Sequence, residues 1–378
     1  MSVRVLLFVT AMTSLSGIAN AVSAATSIVA THDSSEHAKA IAQFVCDGSG
    51  DQEEINAAVR TLPPAGGMVL LMEGTYDIRR VEGTLGGVII DRSDVTLAGM
   101  GAATRLVLGP GQNTNVVRII GEGVGGIIIR DLHVDANRDQ NTEGTGNPDV
   151  SHDRFEFCGI KAFYGVPGQS GGAPAHDITI ENTTVRDAHR LGIMLEGPNM
   201  KVLSNVLGNA GSDAVEILTG PGEIRGNYVE ITGQTHVAIG SDRADSILMT
   251  DNIVRVKEGG QLDIAFRSWA GSQRHVIANN VVTVEPGGSC AQCIDARGSR
   301  TVVMGNCLQS AILEPRMRLT IGAGDAVVSG NVLENVIVEV NDVSGDNRPI
   351  VLGPNVFNNT AVDVKAGRLE RGDVPAIP

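Results

Sequence analysis

Aromatic side chains are scarce in this chain: its 378 residues include one Trp, three Tyr and seven Phe. Any site that works by ring stacking is therefore confined to a few positions, chiefly Trp269, Tyr164, Phe155 and Phe157. Positive charge is also short. Lys and Arg number 29 against 43 Asp and Glu, a net charge of −14, which excludes nucleic acid as a partner because phosphate neutralisation needs clustered Lys and Arg. Beyond the N-terminus no stretch approaches the about 18 consecutive apolar residues of a bilayer span, so no span is expected in the mature chain. The five cysteines (Cys46, Cys158, Cys290, Cys293 and Cys307) allow one or two disulfides and leave at least one thiol over. Cys290 and Cys293 form a CxxC that no second pair completes into a zinc site. It reads as a local disulfide or a pair of packed thiols.

What is abundant is glycine, with 47 residues, among many Val, Ile, Asn and Asp, a mixture that suits short strands joined by tight turns. The N-terminus carries Arg4, an apolar stretch from Val5 to about Ile18, and small residues at Ala19-Asn20-Ala21 and Ser23-Ala24-Ala25. That is the layout of a cleaved secretory signal over residues 1–25, which predicts a secreted, periplasmic or cell-surface protein.

The C-terminal half repeats. Asn182, Asn205, Asn227, Asn252, Asn280, Asn306, Asn331 and Asn355 recur at near-regular spacing, each between short apolar runs such as VLSNVL, LMTDNIV and VVSGNVL. A fixed period of this length marks a stacked repeat architecture. Short strands with one Asn or Gly turn per repeat predict an all-β fold: a right-handed single-stranded parallel β-helix of ten or more coils, over residues 65–360. Residues 26–64 read as an N-terminal cap. In it, 37–46 are predicted helical, and a second helix follows Asp51 as N-cap, with Ile55, Ala58, Val59 and Leu62 at helical spacing. Such a helix covers the open end of the solenoid. Residues 361–378 read as a loose tail.

The period breaks once, between Asp131 and Asn182, where ANRDQNTEGTGNPDVSHDRFEF and YGVPGQSGGAPAHD make an inserted loop at 136–176. Long polar excursions from a rigid scaffold are where binding chemistry usually sits.

The run CDGSGDQEEINAAVRTLPPAGGMVLLMEGTYDI resembles the opening segment of the pectate-lyase-like superfamily, which includes polygalacturonases, rhamnogalacturonases, phage tailspikes and mannuronan C5-epimerases. DLHVDANRDQNT (131–142) and HDITIENTTVRDAHRLGI (176–193) are similar to the matching parts of mannuronan C5-epimerase catalytic modules. With the coil repeats, the resemblance spans roughly residues 45–310. It implies a parallel β-helix acting on polysaccharide. One departure is plain: where those modules carry a Tyr, an Asp and a His in the next coil, this chain reads LGIMLEGPN.

Aligning strands on their central Ile or Val gives two outward columns: Lys161, Met194, Glu216, Ala238, Ala265, Asp295, and Phe163, Glu196, Leu218, Gly240, Arg267, Arg297. Asp242 and Asp263 fall just outside them. Carboxylates Glu196, Glu216, Asp242, Asp263 and Asp295 thus share a face with Lys161, Arg267 and Arg297, and the small residues Ala238, Gly240 and Ala265 leave a depression. Paired carboxylates can serve as acid and base or nucleophile. The catalytic candidates are Glu216 and Asp242 first, with Glu196, Asp263 and the loop pair His152–Asp153. Lys161, Arg267, Arg297, Asp295, Tyr164 and Trp269 are candidate substrate contacts. No cofactor is required, and Ca²⁺ on a uronate is an optional one. The reading that follows is an exported enzyme on an acidic, uronate-containing polysaccharide, by lyase, epimerase or hydrolase chemistry. Two alternatives stand: a metal-free glycosidase or glycosyl-transferring enzyme on a neutral glycan using Glu196, Glu216 and Asp263, and a non-catalytic glycan-binding solenoid. A monomer is expected, with a trimer left open.

Overall fold

A computed structural model describes residues 25–142, 157–162, 173–342 and 347–372. The short Val- and Ile-rich runs form strands that pair in parallel with their counterparts one coil away, every third strand along the chain being a neighbour. Three sheets result. Among the described residues the first holds fourteen strands and ends at Arg368–Arg371; the second and third hold eleven each, starting at Gly74–Ile78 and Gly86–Ile90. Because the coil closes on itself, one face of every sheet lines a continuous aliphatic core, with Val69, Leu97, Ile129, Ile180, Val202 and Ile224 fully buried in the first sheet.

The asparagine repeat is a buried ladder. Asn227 Oδ1 accepts the backbone N–H and the Nδ2 amide of Asn205 at 2.9 and 3.0 Å, while Asn227 Nδ2 donates to the Val202 carbonyl at 2.9 Å. The same pattern runs through Asn252, Asn280, Asn306, Asn331 and Asn355. Asn182 is not a rung. The ladder begins at Thr183, whose N–H donates to Asn205 Oδ1 at 3.0 Å. Asn182 is the turn residue before it, with φ of 47°, the place held by Ser204, Gly226, Asp251, Asn279 and Gly305 in later coils. A left-handed turn and a buried rung both favour asparagine, so the sequence count merged the two roles.

The cap differs in detail from expectation. Thr26–Ala30 joins the first sheet beside Gly67–Leu71. The first helix is only Glu36–Ile41, capped by Ser35, because Phe44–Val45 leaves it to form the edge strand. The second helix, Gln52–Thr61, buries Ile55, Ala58 and Val59 over the first coil. Asp51 precedes it but does not cap it. Its carboxylate accepts Gly48 N–H, Asp77 N–H and the Thr31 hydroxyl instead, and burial pushes its pKa up.

At the other end the solenoid runs past residue 360. Ala361–Ala366 and Arg368–Arg371 pair with Val336–Asn341 and Pro349–Leu352, so this stretch is a further coil rather than a loose tail. No disulfide joins any of the five cysteines, which replaces the one or two that the sequence allowed. Cys290 and Cys293 both point into the core, where burial raises the Cys293 thiol to about 12. No described helix is long and apolar enough to cross a membrane.

Candidate active site on the third sheet

Five strands of the third sheet build the site: Ile193–Gly197, Asp213–Thr219, Gln234–Asp242, Gln261–Ser268 and Ser289–Ala296. Strict alternation fails in this sheet, and the failure makes the site. Ala214 and Val215, Ala238 and Ile239, Ala265 and Phe266, and Cys293 and Ile294 are consecutive residues that all belong to the core. With two neighbours turned inward, the residues on both sides of each pair turn outward. Asp213 therefore shares the outer face with Glu216, three positions away.

The same corner corrects the alignment of the columns. Ala238 and Ala265 line the core and make no surface depression. In register with Glu216 stand Met194 and Lys161 on one side, then Gly240, Arg267, Asp295, Thr320 and Glu339 on the other. Sequence alignment had slipped by two residues in the strands around 240 and 267. Glu196, Leu218 and Asp242 form a second column.

Arg267 is the centre of the arrangement. Its guanidinium reaches back across Gly240, and Nη2 contacts Asp213 Oδ2 at 2.7 Å and Glu216 Oε1 at 2.6 Å. Gly240 permits this: a Cβ there would stand 3.1 Å from Asp213 Oδ2 and 3.3 Å from Arg267 Nη2. Asp213 and Glu216 are buried, and Ser212 Oγ donates to Asp213 Oδ1 at 2.8 Å. Over this cluster opens a cleft of about 180 Å³, lined also by Arg190, Leu191, Met194, Leu218, Asp242 and Arg243. Asp242 is at the rim, with its carboxylate 3.7 Å from Arg243 Nε. On the far side Trp269 lies beneath two cations, the Arg267 guanidinium at 5.5 Å and that of Arg297 at 4.7 Å from the ring centre.

The other candidates scatter. Lys161 is fully buried, two coils before Glu216 in its column. Glu196 lies beside Leu218, two coils from Asp242. Asp263 is exposed and paired with His236 at 2.7 Å. It precedes Arg267 by four residues on the same strand, about 13 Å along it, so it does not belong to this cleft. Asp295 is fully buried under Arg297, and burial raises its pKa. His152, Asp153, Phe155, Phe163 and Tyr164 lie outside the described residues. Sequence reasoning missed Asp213, Ser212, Arg190 and Arg243. The available signal was the repeated small-then-large pair at 214–215, 238–239 and 265–266, which marks the corner.

Among the described residues, three metal-capable groups converge only at Cys46, Asp51 and Glu54, in the cap, where backbone N–H groups already occupy Asp51. Between Asp213 and Glu216 the positive charge comes from Arg267.

No protein-family model and no curated protein matches the sequence. Solved structures do match. The A-module of Azotobacter vinelandii mannuronan C-5 epimerase AlgE6 is 19% identical, with a TM-score of 0.53 over 86% of this chain and 95% of its own. A mutant of DFA-IIIase from Arthrobacter chlorophenolicus A6, in complex with DFA-III, is 15% identical, with a TM-score of 0.53 over 92% of this chain and 87% of its own. Likeness at these identities is likeness of fold. By fold, the chain is a parallel β-helix, as these structures are.

Proposed function

We propose that this chain is an exported carbohydrate-active enzyme that cleaves or transfers a glycosidic bond in the cleft over Arg267, with Asp213 and Glu216 as its two working carboxyls. One observation carries the reading: both carboxylates touch the same guanidinium nitrogen at the floor of a cleft. Their contacting oxygens are then no more than about 5 Å apart, close enough for one carboxyl to protonate the leaving oxygen while the other attacks the anomeric carbon. Arg267 fixes both side chains, which confines them to one geometry. Asp242, first choice beside Glu216 on sequence grounds, becomes a rim group for sugar hydroxyls. The β-helix neighbours support the reading, since the solved structures include a mannuronan epimerase module and a DFA-IIIase bound to DFA-III.

A second reading is lyase or epimerase chemistry on a uronate. The arginines at the cleft, Arg190, Arg243 and Arg267, favour it, because an abstracted proton leaves negative charge beside the sugar carboxylate. The test is a screen of the purified protein on alginate, pectate and neutral glycans, with and without Ca²⁺. New reducing ends or transferred glycosides support the first reading, and unsaturated or epimerised products support the second. Silence on every substrate, with Glu216→Gln binding glycan as wild type does, would sink both.

A further inference from the structure

A second cavity, of about 200 Å³, lies further along the same outer face, lined by Gln292, Arg297, Arg318, Thr320, Glu339 and Asn341. Thr320 stands four coil steps from Glu216 in one column, about 19 Å at strand spacing. We propose that this cavity is a subsite for a negatively charged substituent, a carboxylate or a sulfate, on the glycan whose bond reacts over Arg267. The proposal rests on the catalytic reading only for the identity of the glycan as substrate.

The case is one of charge and of how Arg297 is held. Its Nε donates to Asp295 Oδ1 at 3.0 Å, and Asp295 is fully buried. Its guanidinium packs 4.7 Å over Trp269. A cation fixed from two sides loses little freedom on meeting an anion, which favours planar, bidentate recognition. The acidic group in the cavity wall is already answered: Glu339 contacts Lys365 Nζ at 2.6 Å and Arg318 Nε at 3.8 Å. Of the groups that line the cavity, Arg297 and Arg318 face the one carboxylate Glu339, leaving an excess positive charge in a protein that carries −14 overall. Thr320, Gln292 and Asn341 add neutral donors for oxyanion or hydroxyl groups. Trp269 also lies under Arg267, so one aromatic ring joins this cavity to the catalytic cleft.

Trp269 is the only tryptophan in the chain, so its fluorescence reports on Arg297 and Arg267 without labelling, and the Arg318 variants tell which side a ligand meets. The test titrates the full protein with an oligogalacturonate, a sulfated oligosaccharide, a neutral oligosaccharide of equal length, and sodium sulfate alone. The anionic oligosaccharides are expected to shift Trp269 emission saturably, each bound at least ~10-fold more tightly than the neutral one. Their relative affinities decide between carboxylate and sulfate. Arg318→Gln, at a half-exposed position that does not threaten folding, should weaken that binding ~10-fold, and Arg318→Lys should restore most of it. Equal affinity for neutral and anionic ligands overturns the subsite, as does Arg318→Gln binding like wild type, or a response to sulfate ion with none to either anionic oligosaccharide. Glu216→Gln separates the two ideas. Retained anionic binding with lost turnover upholds both, whereas Arg318-dependent binding in a wild type without turnover leaves the subsite standing and removes the catalytic reading.

Discussion

Arg267 and Glu216 meet at 2.6 Å although a whole coil separates their strands. The long arginine side chain spans the gap, and Gly240 between them leaves its path open. Because Asp213 shares the same nitrogen, two buried carboxylates and one partly buried guanidinium act as one unit.

Removing either carboxyl should therefore abolish turnover more than it harms the fold. Asp213→Asn and Glu216→Gln are each expected to lower kcat ~10²–10⁴-fold, as loss of an acid–base or nucleophilic carboxyl does. Circular dichroism should remain that of a β-solenoid. Asp263→Asn, at an exposed pair with His236, should keep wild-type kcat on the same glycan.

Gly240→Ala tests the path itself. The added methyl sits within about 3.3 Å of both Asp213 Oδ2 and Arg267 Nη2, so one of them must give way. A ~10-fold or greater loss of kcat is expected from such a displacement, since small misplacements in a site are costly. Thermal melting should move by only a few degrees. Wild-type kcat in this variant would show that the bridge is not needed.

The ladder predicts a sharp contrast between two asparagines. Asn252→Ala leaves the Asn227 N–H, the Asn227 amide and the Ile224 carbonyl without their partner inside the core, a loss of about 3 kcal/mol in denaturant titration. Asn182→Ala removes a half-exposed turn residue, whose side chain bonds Asp131, and should cost about 1 kcal/mol.

His275 makes stability depend on pH. It is fully buried, with Nδ1 facing Ser241 Oγ and Nε2 donating to the Ala244 carbonyl, and burial lowers its pKa to about 4, opposed by that carbonyl and by Asp245. Above about pH 6.5 the ring is neutral in both states and its contribution is complete. As pH falls from there to about 4, the unfolded chain takes up a proton that the folded one refuses, and stability declines by about 3 kcal/mol. His275→Gln should flatten that part of the stability curve, measured by denaturant midpoints between pH 7.5 and 4.

Thiol titration checks the cysteines. Unfolded without reductant, the protein should yield five reactive thiols, and folded it should react slowly, since Cys46, Cys158, Cys290 and Cys293 are buried. Fewer than five on unfolding would mean that disulfides form after all.

The repeat alone specifies the solenoid. A period of short apolar runs with a turn residue and a buried asparagine in each coil has one compact solution, in which neighbouring coils satisfy each other's backbone and amide groups. It also brought Glu196, Glu216, Arg267 and Arg297 to one face. Tertiary structure alone decided which of these touch. Period-two alternation cannot reveal a corner where Ala214 and Val215 both turn inward, so Asp213 was invisible and Arg267 was placed in the wrong column. Side-chain reach did the rest: a contact across Gly240 depends on coil spacing and on an absent Cβ, and neither has a period in the sequence.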